Sequence, residues 1–520
     1  MKRSSLSQAV LVLAMFILCG LTVACWGPVS STPNPLQVSV QGTTNPLVAQ
    51  YSIVSPCVGQ AMVEFGPDTS YGRSTASYSV PWLEQANILV AGMRASTTYH
   101  MRSQVQCTGD AVVTTPDLTF TTGPLPAIPF PTLIVTRPNP SLSSTENPGI
   151  EMLTLPEAST PAFFTDRDAN PIWYYDVGQG NYPYTFKLLP NGHMILNIVP
   201  PDSASTILRE IDLAGNTIRE MSTLALAQKM QAAGGFDFVP IGYHHDLVPL
   251  ANGHVLVIVF CFKDFTNLPG YPGTTQVQSD GIVDLDANWN PVWAWNAFDY
   301  LDVNRHLNGL PDWTHSNALV YSASDGNLLL SMRHQSWVLK IDYNNGAGTG
   351  NVLWKLGYQG DFSLAQGDDP SLWFSFQHFP SIVSQAGSQT TLAIWDNGDN
   401  RVLDTSGTIC GAASNISCYS RATIFQVDES AMVANLFWAD LPGYFGIWGG
   451  SINQLDNGNV EFDINAAAPP TTGDSASEVQ EVTQSSTPQI VWQMDVHPNA
   501  ANAYRAYRVP SLYPGVAWQY

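Results

Sequence analysis

Apolar and polar positions alternate in short runs along most of this chain, and turn-forming residues end each run. The pattern is clearest where a strand meets Asn-Gly or Asp-Gly and a second strand returns. Such stretches are "LLPNGHMILNI" (188–198), "PLANGHVLVIV" (249–259), "ASDGNLLLSM" (323–332) and "QLDNGNVEFDI" (454–464). Those dipeptides accept the positive φ that matches the twist of paired strands, so each stretch predicts a β-hairpin. "QAGSQTTLAI" (385–394) is a looser copy. Each hairpin is followed by a strand pair closing on tryptophan, as in "IVDLDANWNPVWAWN", "VLKIDYNNGAGTGNVLWKLG", "IFQVDESAMVANLFWAD" and "QIVWQMDV". "NPIWYYDV" (170–177) supplies one more before the first hairpin. No long stretch after residue 30 repeats apolar residues at helical spacing, so the chain is predicted to be all-β.

Hairpin plus strand pair recurs about every 60–75 residues, and radial repetition of four-stranded sheets accommodates such a repeat. Residues 149–520 hold five or six such units, and six is the expectation: a six-bladed β-propeller with Trp293, Trp354, Trp438 and Trp492 packed between blades. An earlier unit spans 33–124, where "LQVSVQG", "AMVEFGP", "TTYHMRSQV" and "LTFTTG" alternate as the strands of a small sandwich. It resembles fibronectin type III and the N-terminal domains of exported phosphatases, chiefly in "AGMRASTTYHMRSQV" and "DLTFTTG". Residues 125–148, with "PLPAIPFP" and "RPNPSLSSTENPG", are Pro-rich and expected to be a linker.

Composition narrows the partners. Only 12% of the 520 residues are charged, and the net charge is −22. Nucleic acid and anionic membrane surfaces need clustered Lys and Arg that are missing, whereas an anionic small molecule requires only a local cluster of donors. Lys2 and Arg3 precede an apolar run from Ala9 to Val23, an export signal expected to span residues 1–24. "LTVAC" (21–25) is an imperfect lipoprotein box, so lipid attachment at Cys25 and simple cleavage beside it both fit. The mature protein is expected outside the cytoplasmic membrane, periplasmic or tethered at the outer membrane or cell surface. In an oxidising compartment Cys57 is expected to pair with Cys107, and Cys410 with Cys418 eight residues on. Cys261, in "VIVFCF", reads as a buried strand residue.

Histidine then becomes informative, because the chain holds only 10. "YHHDLVPLANG" carries His244 and His245, "DWTHSNALVYSASDG" carries His315 and Asn317, and "WFSFQHFPSIVSQAG" carries His378. Flanking units offer Thr185 and Ser451 at a comparable register. A histidine among phenylalanines is ordinarily a hydrogen-bonded core residue. Three in succession upstream of a hairpin turn, however, would converge at one end of a closed ring. Arg333 ends the return strand of the His315 hairpin and would add a planar fork of donors suited to an oxyanion. Three imidazoles on separate strands also match a zinc site, but Asp246 and Asp312 stand where they would orient imidazoles, and no metal is expected.

Together "YHHDLVPLANGHVLVIV", "DWTHSNALVYSASDGNLLLSMRHQSWVLKID" with "VLWKLG", and "FQHFPSIV…LAIWDNGDNR" resemble the bacterial arylsulfate sulfotransferases over roughly residues 150–520. The resemblance implies an exported six-bladed propeller without a cofactor. It would move a sulfuryl group from an aryl sulfate to a phenol in two steps through a sulfohistidine. It implies His378 as nucleophile, with His315, Asn317, Arg333 and one histidine of the pair holding the sulfuryl oxygens. His245 is preferred because it precedes Asp246, although strand alternation would favour His244. Ser451 is the expected hydroxyl donor, and the Cys410–Cys418 loop is expected near the site. Phe374, Phe376 and Phe379, with Tyr243 and Trp313, would exclude water and face an aromatic ring. A quinoprotein dehydrogenase and a non-catalytic surface-binding propeller are the alternatives; the first would need a Glu, Asn and Asp calcium set that is not found.

Overall fold

The computed structural model describes residues 36–109, 111–157, 159–201, 205–411, 414–467, 476–497 and 502–519. The export signal and Cys25 lie outside the described residues. The described residues are all-β apart from one helix, Thr223–Ala233, and several 3-10 turns. That helix departs from the expectation of strands alone. Ser222 caps it by accepting from the Ala225 N–H at 3.2 Å, and the Leu, Ala, Gln, Lys and Met of "TLALAQKMQAA" favour helix. No helix among the described residues is long and apolar enough to cross a membrane.

Two antiparallel sheets form the N-terminal unit, one of three strands and one of six. In strand Thr98–Cys107 alternate residues Tyr99, Met101, Ser103, Val105 and Cys107 are buried, as a sheet covered on one face requires. Cys57 is disulfide-bonded to Cys107 across a Cα separation of 5.7 Å.

The rest of the chain makes six sheets of four or five strands. We label the strand that leads each hairpin β1 (Tyr182–Leu188), β2 (Gly242–Pro249), β3 (Ser316–Ser322), β4 (His378–Ala386) and β5 (Ser451–Gln454). The C-terminal strand β6 (Arg505–Val509) pairs with Ile150–Thr154, so chain ends some 350 residues apart complete one sheet. The turns predicted at Asn-Gly and Asp-Gly set the registers Leu188↔Met194, Pro249↔Val255, Ser322↔Asn327 and Gln454↔Val460. Gly192 at φ 86° shows why glycine stands there. Strands β1 to β6 lie against one another in chain order, and Ile150–Thr154 lies against β1, so the six sheets follow one another in a closed cycle.

A buried ion cluster ties the closing strand. Arg508 reaches Glu151 at 2.5 Å, Glu461 at 3.2 Å and also Glu481, joining β6 to its own sheet and to the neighbouring one. Two segments differ from expectation. Within the Pro-rich stretch, Thr132–Thr136 ("TLIVT") pairs with Ile490–His497 as a fifth strand, because its β-branched residues have a free sheet edge to join. After β6 the chain returns to the N-terminal unit, where Trp518 packs on Phe65 at 5.7 Å and the Tyr513 hydroxyl donates to Leu89 O at 2.8 Å.

Candidate functional site

The leading strands do not run regularly. Register shifts fall between Pro183 and Thr185 in β1, Tyr243 and Leu247 in β2, Ser316 and Ala318 in β3, and His378 and Ser381 in β4. Four bulges at the same end of four neighbouring strands re-aim side chains that alternation would send elsewhere. His245 (φ 51°), His315 (φ 48°) and Phe379 (φ 45°) hold left-handed conformations, each costing about 1–3 kcal/mol for a residue with a Cβ. The surrounding sheets must impose them.

At the centre is His378, 1% exposed. Its Nδ1 lies 2.7 Å from Asn397 Oδ1. The Asn397 amide is itself fixed, because Nδ2 donates to Gly446 O at 2.7 Å and Gly449 O at 3.0 Å. Asn397 therefore presents only an acceptor, the proton of His378 sits on Nδ1, and Nε2 keeps its lone pair. The Gly449 N–H approaches that Nε2 at 3.2 Å. Gly449 has φ 67° and a Cβ there would meet Asn465 Nδ2 at 2.3 Å, so only glycine brings this backbone so close. Burial, followed by the Arg333 charge, holds the His378 pKa well below its ordinary value.

The other imidazoles gather around Tyr504, whose ring is 6.0 Å from that of His378 and 5.8 Å from that of His245. His245 and His315 meet edge to face at 4.8 Å. His315 Nδ1 is 2.5 Å from Asp312 Oδ2, and its ring stacks on His334 at 4.5 Å. Behind them runs a polar chain. The Tyr184 hydroxyl donates to His245 Nε2 at 2.9 Å, His245 Nδ1 meets His244 Nδ1 at 2.7 Å, and His244 Nε2 lies 3.3 Å from Asp280 Oδ1. Burial and the neighbouring imidazoles hold the His245 pKa well below its ordinary value, so with Tyr184 donating to Nε2 its single proton sits on Nδ1, toward His244.

Arg333 lies beside the imidazoles. Its Nη1 donates to His334 Nε2 at 2.8 Å and its Nη2 to Ile447 O at 2.8 Å, with Asp399 Oδ2 3.6 Å away. Its Nε is buried and bonds to no described residue, so that N–H is free to donate. Burial pushes the Asp399 carboxyl up to about 6 against the opposing pull of Arg333. Arg505 is the second guanidinium, with Nη1 3.1 Å from Asp246 and its plane over Phe379 and Tyr504.

His378, His245, His315, Arg333 and Phe376 thus share one neighbourhood, and Phe376 lies 5.1 Å from the Arg333 guanidinium. Asn317 joins them through its Nδ2, which donates to Gln377 O at 2.7 Å, next to His378. His244 stands behind His245, stacked on Phe260 at 3.7 Å. Tyr243 points the other way, into an apolar cluster with Leu189, Ile195 and Val257. Phe374 and Trp313 belong to separate apolar clusters as well. The Ser451 hydroxyl is spent within its own neighbourhood, donating to Ala506 O and accepting from Ala506 N–H at 3.2 Å. Asp246 does not orient an imidazole: it pairs with Arg505 and with Lys187 at 3.3 Å, and Asp280 takes the expected place beside the histidine pair. Asp312 does touch an imidazole, that of His315.

Sequence reasoning passed over Tyr184, Asn397, His334, Asp399, Tyr504 and Arg505. "AYRAYRV" on the closing strand follows no hairpin turn, and Asn397-Gly398 reads as one more turn signal. His334, adjacent to Arg333, was the accessible clue.

Asp312, His315 and His334 are close enough to share a metal ion. Their atoms are already committed, however: His334 donates from Nδ1 to Asp312 O at 2.8 Å and receives Arg333 at Nε2, which sets a cation beside the group. That arrangement fits an oriented hydrogen-bond network better than a cation site.

A cavity of about 400 Å³ lies at the Arg333 edge of this cluster, between Arg333, Phe376, Asp399 and the Cys410–Cys418 disulfide. The disulfide loop forms its outer wall. A guanidinium with an open N–H beside a partly aromatic cavity suits a small anion better than a macromolecular surface.

The sequence profile of the family described as Arylsulfotransferase (ASST) matches residues 135–508, and the chain belongs to that family. It is an enzyme that transfers sulfuryl groups, and membership favours this over the dehydrogenase and surface-binding alternatives. No curated protein sequence matches the chain. Among solved structures it is similar to dihydro-heme d1 dehydrogenase NirN in complex with DHE, at 12% identity and a TM-score of 0.32, covering 72% of this chain and 80% of that one. Another is the S. cerevisiae core factor, at 8% identity and a TM-score of 0.23, covering 90% of this chain and 61% of that one.

Proposed function

We propose that the protein carries a sulfuryl group from an aryl sulfate to a phenol by way of a sulfated His378. The observation that carries this reading is the state of His378: neutral under burial and the Arg333 charge, its proton pinned to Nδ1 by Asn397, with an Nε2 lone pair met only by the Gly449 N–H at 3.2 Å among the described residues. Nε2 attacks sulfur, the S–O bond to the aryl oxygen breaks, and the phenolate leaves with the bonding pair. His315, held by Asp312, supplies the proton that the leaving oxygen needs. The free Arg333 N–H and the amide of Asn317 compensate the sulfuryl oxygens. An acceptor phenol then loses its proton to His315 and attacks sulfur, and the S–N bond returns its pair to Nε2. The aromatic walls keep out water that would otherwise hydrolyse the intermediate.

The six sheets are, in this reading, the blades of a β-propeller preceded by a fibronectin III-like sandwich, with 33–124 and 149–520 as the two domains. Support comes from the cyclic contacts of β1 to β6 and from the closing pair β6 with Ile150–Thr154. The export signal read in the sequence supports an extracytoplasmic location, soluble or tethered through Cys25. Release of nitrophenol from p-nitrophenyl sulfate tests the function: it should require an added phenol and give parallel double-reciprocal lines. Release that ignores phenol, with water as sole acceptor, would overturn the transferase reading.

A further inference from the structure

Next to the cavity at Arg333 lies a second one of about 360 Å³, and the two share Phe376, Asn400 and Ile409 as a common wall. Its sides are aromatic and apolar, with Tyr358, Trp373, Phe374 and Val402. Arg305 is the one charged residue that lines it. The guanidinium lies 3.8 Å above the Trp337 ring. It donates from Nη1 to Gln335 O at 2.9 Å and Gln335 Oε1 at 2.8 Å, and from Nη2 to Tyr358 O at 3.4 Å. These bonds fix its plane and leave Nε–H and one Nη2–H without an acceptor among the described residues.

What Arg305 lacks is an acidic partner. Arg94, Arg137, Arg209, Arg219, Arg333 and Arg505 each have a carboxylate within 4 Å, whereas none among the described residues stands that near Arg305. Burial alone pulls its pKa down to about 10, so it stays charged at neutral pH. A half-buried cation with neutral partners is an unusual feature in a chain of net charge −22. Leaving a charge desolvated and uncompensated costs stability, and an anion that arrives there with its aromatic carrier recovers it.

We propose that the Arg305 cavity is a second subsite, which selects phenols and aryl sulfates bearing a further anionic substituent, a carboxylate or second sulfate, beyond the reacting ring. The proposal deepens the sulfuryl-transfer reading and rests on it: the reacting oxygen lies at Arg333, the carrier crosses Phe376, and the distal anion meets the open N–H groups of Arg305. The aromatic walls account for the aryl part and Arg305 for the charge.

The test compares two acceptors of equal length, 3-(4-hydroxyphenyl)propanoate and its amide, with p-nitrophenyl sulfate as donor. The carboxylate should win in kcat/KM by about tenfold, the size of one charge-assisted hydrogen bond. In Arg305→Met the ratio should fall to about one, and Arg305→Lys should restore part of it. A wild-type ratio near one, or a ratio that Arg305→Met leaves unchanged, overturns the subsite. The wild-type comparison decides even if Arg305→Met does not fold. Calorimetric titration with 3-phenylpropanoate, which has no hydroxyl to sulfate, separates this idea from the function itself. Binding that Arg305→Met abolishes supports the subsite even where no phenol is sulfated, and absence of binding to the wild type overturns it.

Discussion

Replacing Asn397 by Leu probes the chemistry through one hydrogen bond. Asn397 Oδ1 accepts from His378 Nδ1–H at 2.7 Å inside a fully buried neighbourhood. Leucine keeps the approximate volume but leaves that N–H without an acceptor, which costs ~1–3 kcal/mol in the resting enzyme. Attack on sulfur raises the stakes, since the imidazole becomes cationic while Nε2 bonds to sulfur. A bond from a charged donor is worth ~1.5–3 kcal/mol net, so kcat/KM for the donor half-reaction should fall by about 10- to 100-fold. The assay is pre-steady-state release of nitrophenol from p-nitrophenyl sulfate, read beside a thermal melt. The melt is needed because the bonds from Asn397 Nδ2 to Gly446 O and Gly449 O vanish too. A folded Asn397→Leu enzyme within twofold of wild type would refute the argument that this amide sets the tautomer.

The remaining predictions follow from charge. Asp399 titrates at about 6 and pairs with Arg333 once ionised, so the donor KM should rise as pH climbs through 6. Asp399→Asn should hold KM at its low-pH value throughout, and an unaltered inflection would reject the assignment. The raised carboxyl gives stability that is full below its ordinary value of 3.8 and is lost as pH rises through about 6. Asp399→Asn should therefore melt higher than wild type at pH 7.5, with a smaller difference at pH 5. Arg508→Met leaves Glu151, Glu461 and Glu481 buried without their cation and should cost about 3–5 kcal/mol in denaturant unfolding. A loss under 1 kcal/mol would mean that protons already neutralise this cluster.

Local chemistry was legible in the sequence, and long-range closure was not. Asn-Gly and Asp-Gly turns announce the hairpins because a turn's backbone preference acts over four residues. The histidines could be ranked because they recur within about ten residues upstream of successive turns. Bulges hid the rest: in a regular β2 strand His244 and Asp246 would share a face, yet the shift between Tyr243 and Leu247 brings His245 to the site. His245 thus reaches the site, but not through its neighbour, because Asp246 serves Arg505 instead. Tyr504 and Arg505 enter the site only because β6 pairs with Ile150–Thr154, a contact without a local signal. Asn397 was masked by its own neighbour, since Asn397-Gly398 imitates a hairpin turn while Asn397 holds His378. Ser451 shows the opposite error, a correct register whose hydroxyl the backbone of Ala506 takes up.

Mass spectrometry of the enzyme quenched after mixing with p-nitrophenyl sulfate alone tests the central claim most directly. The account predicts one sulfuryl group per chain, located on the peptide that holds His378, discharged on adding phenol and missing in His378→Ala. Turnover by an enzyme that never acquires the group, or a group that His378→Ala still carries, would contradict it.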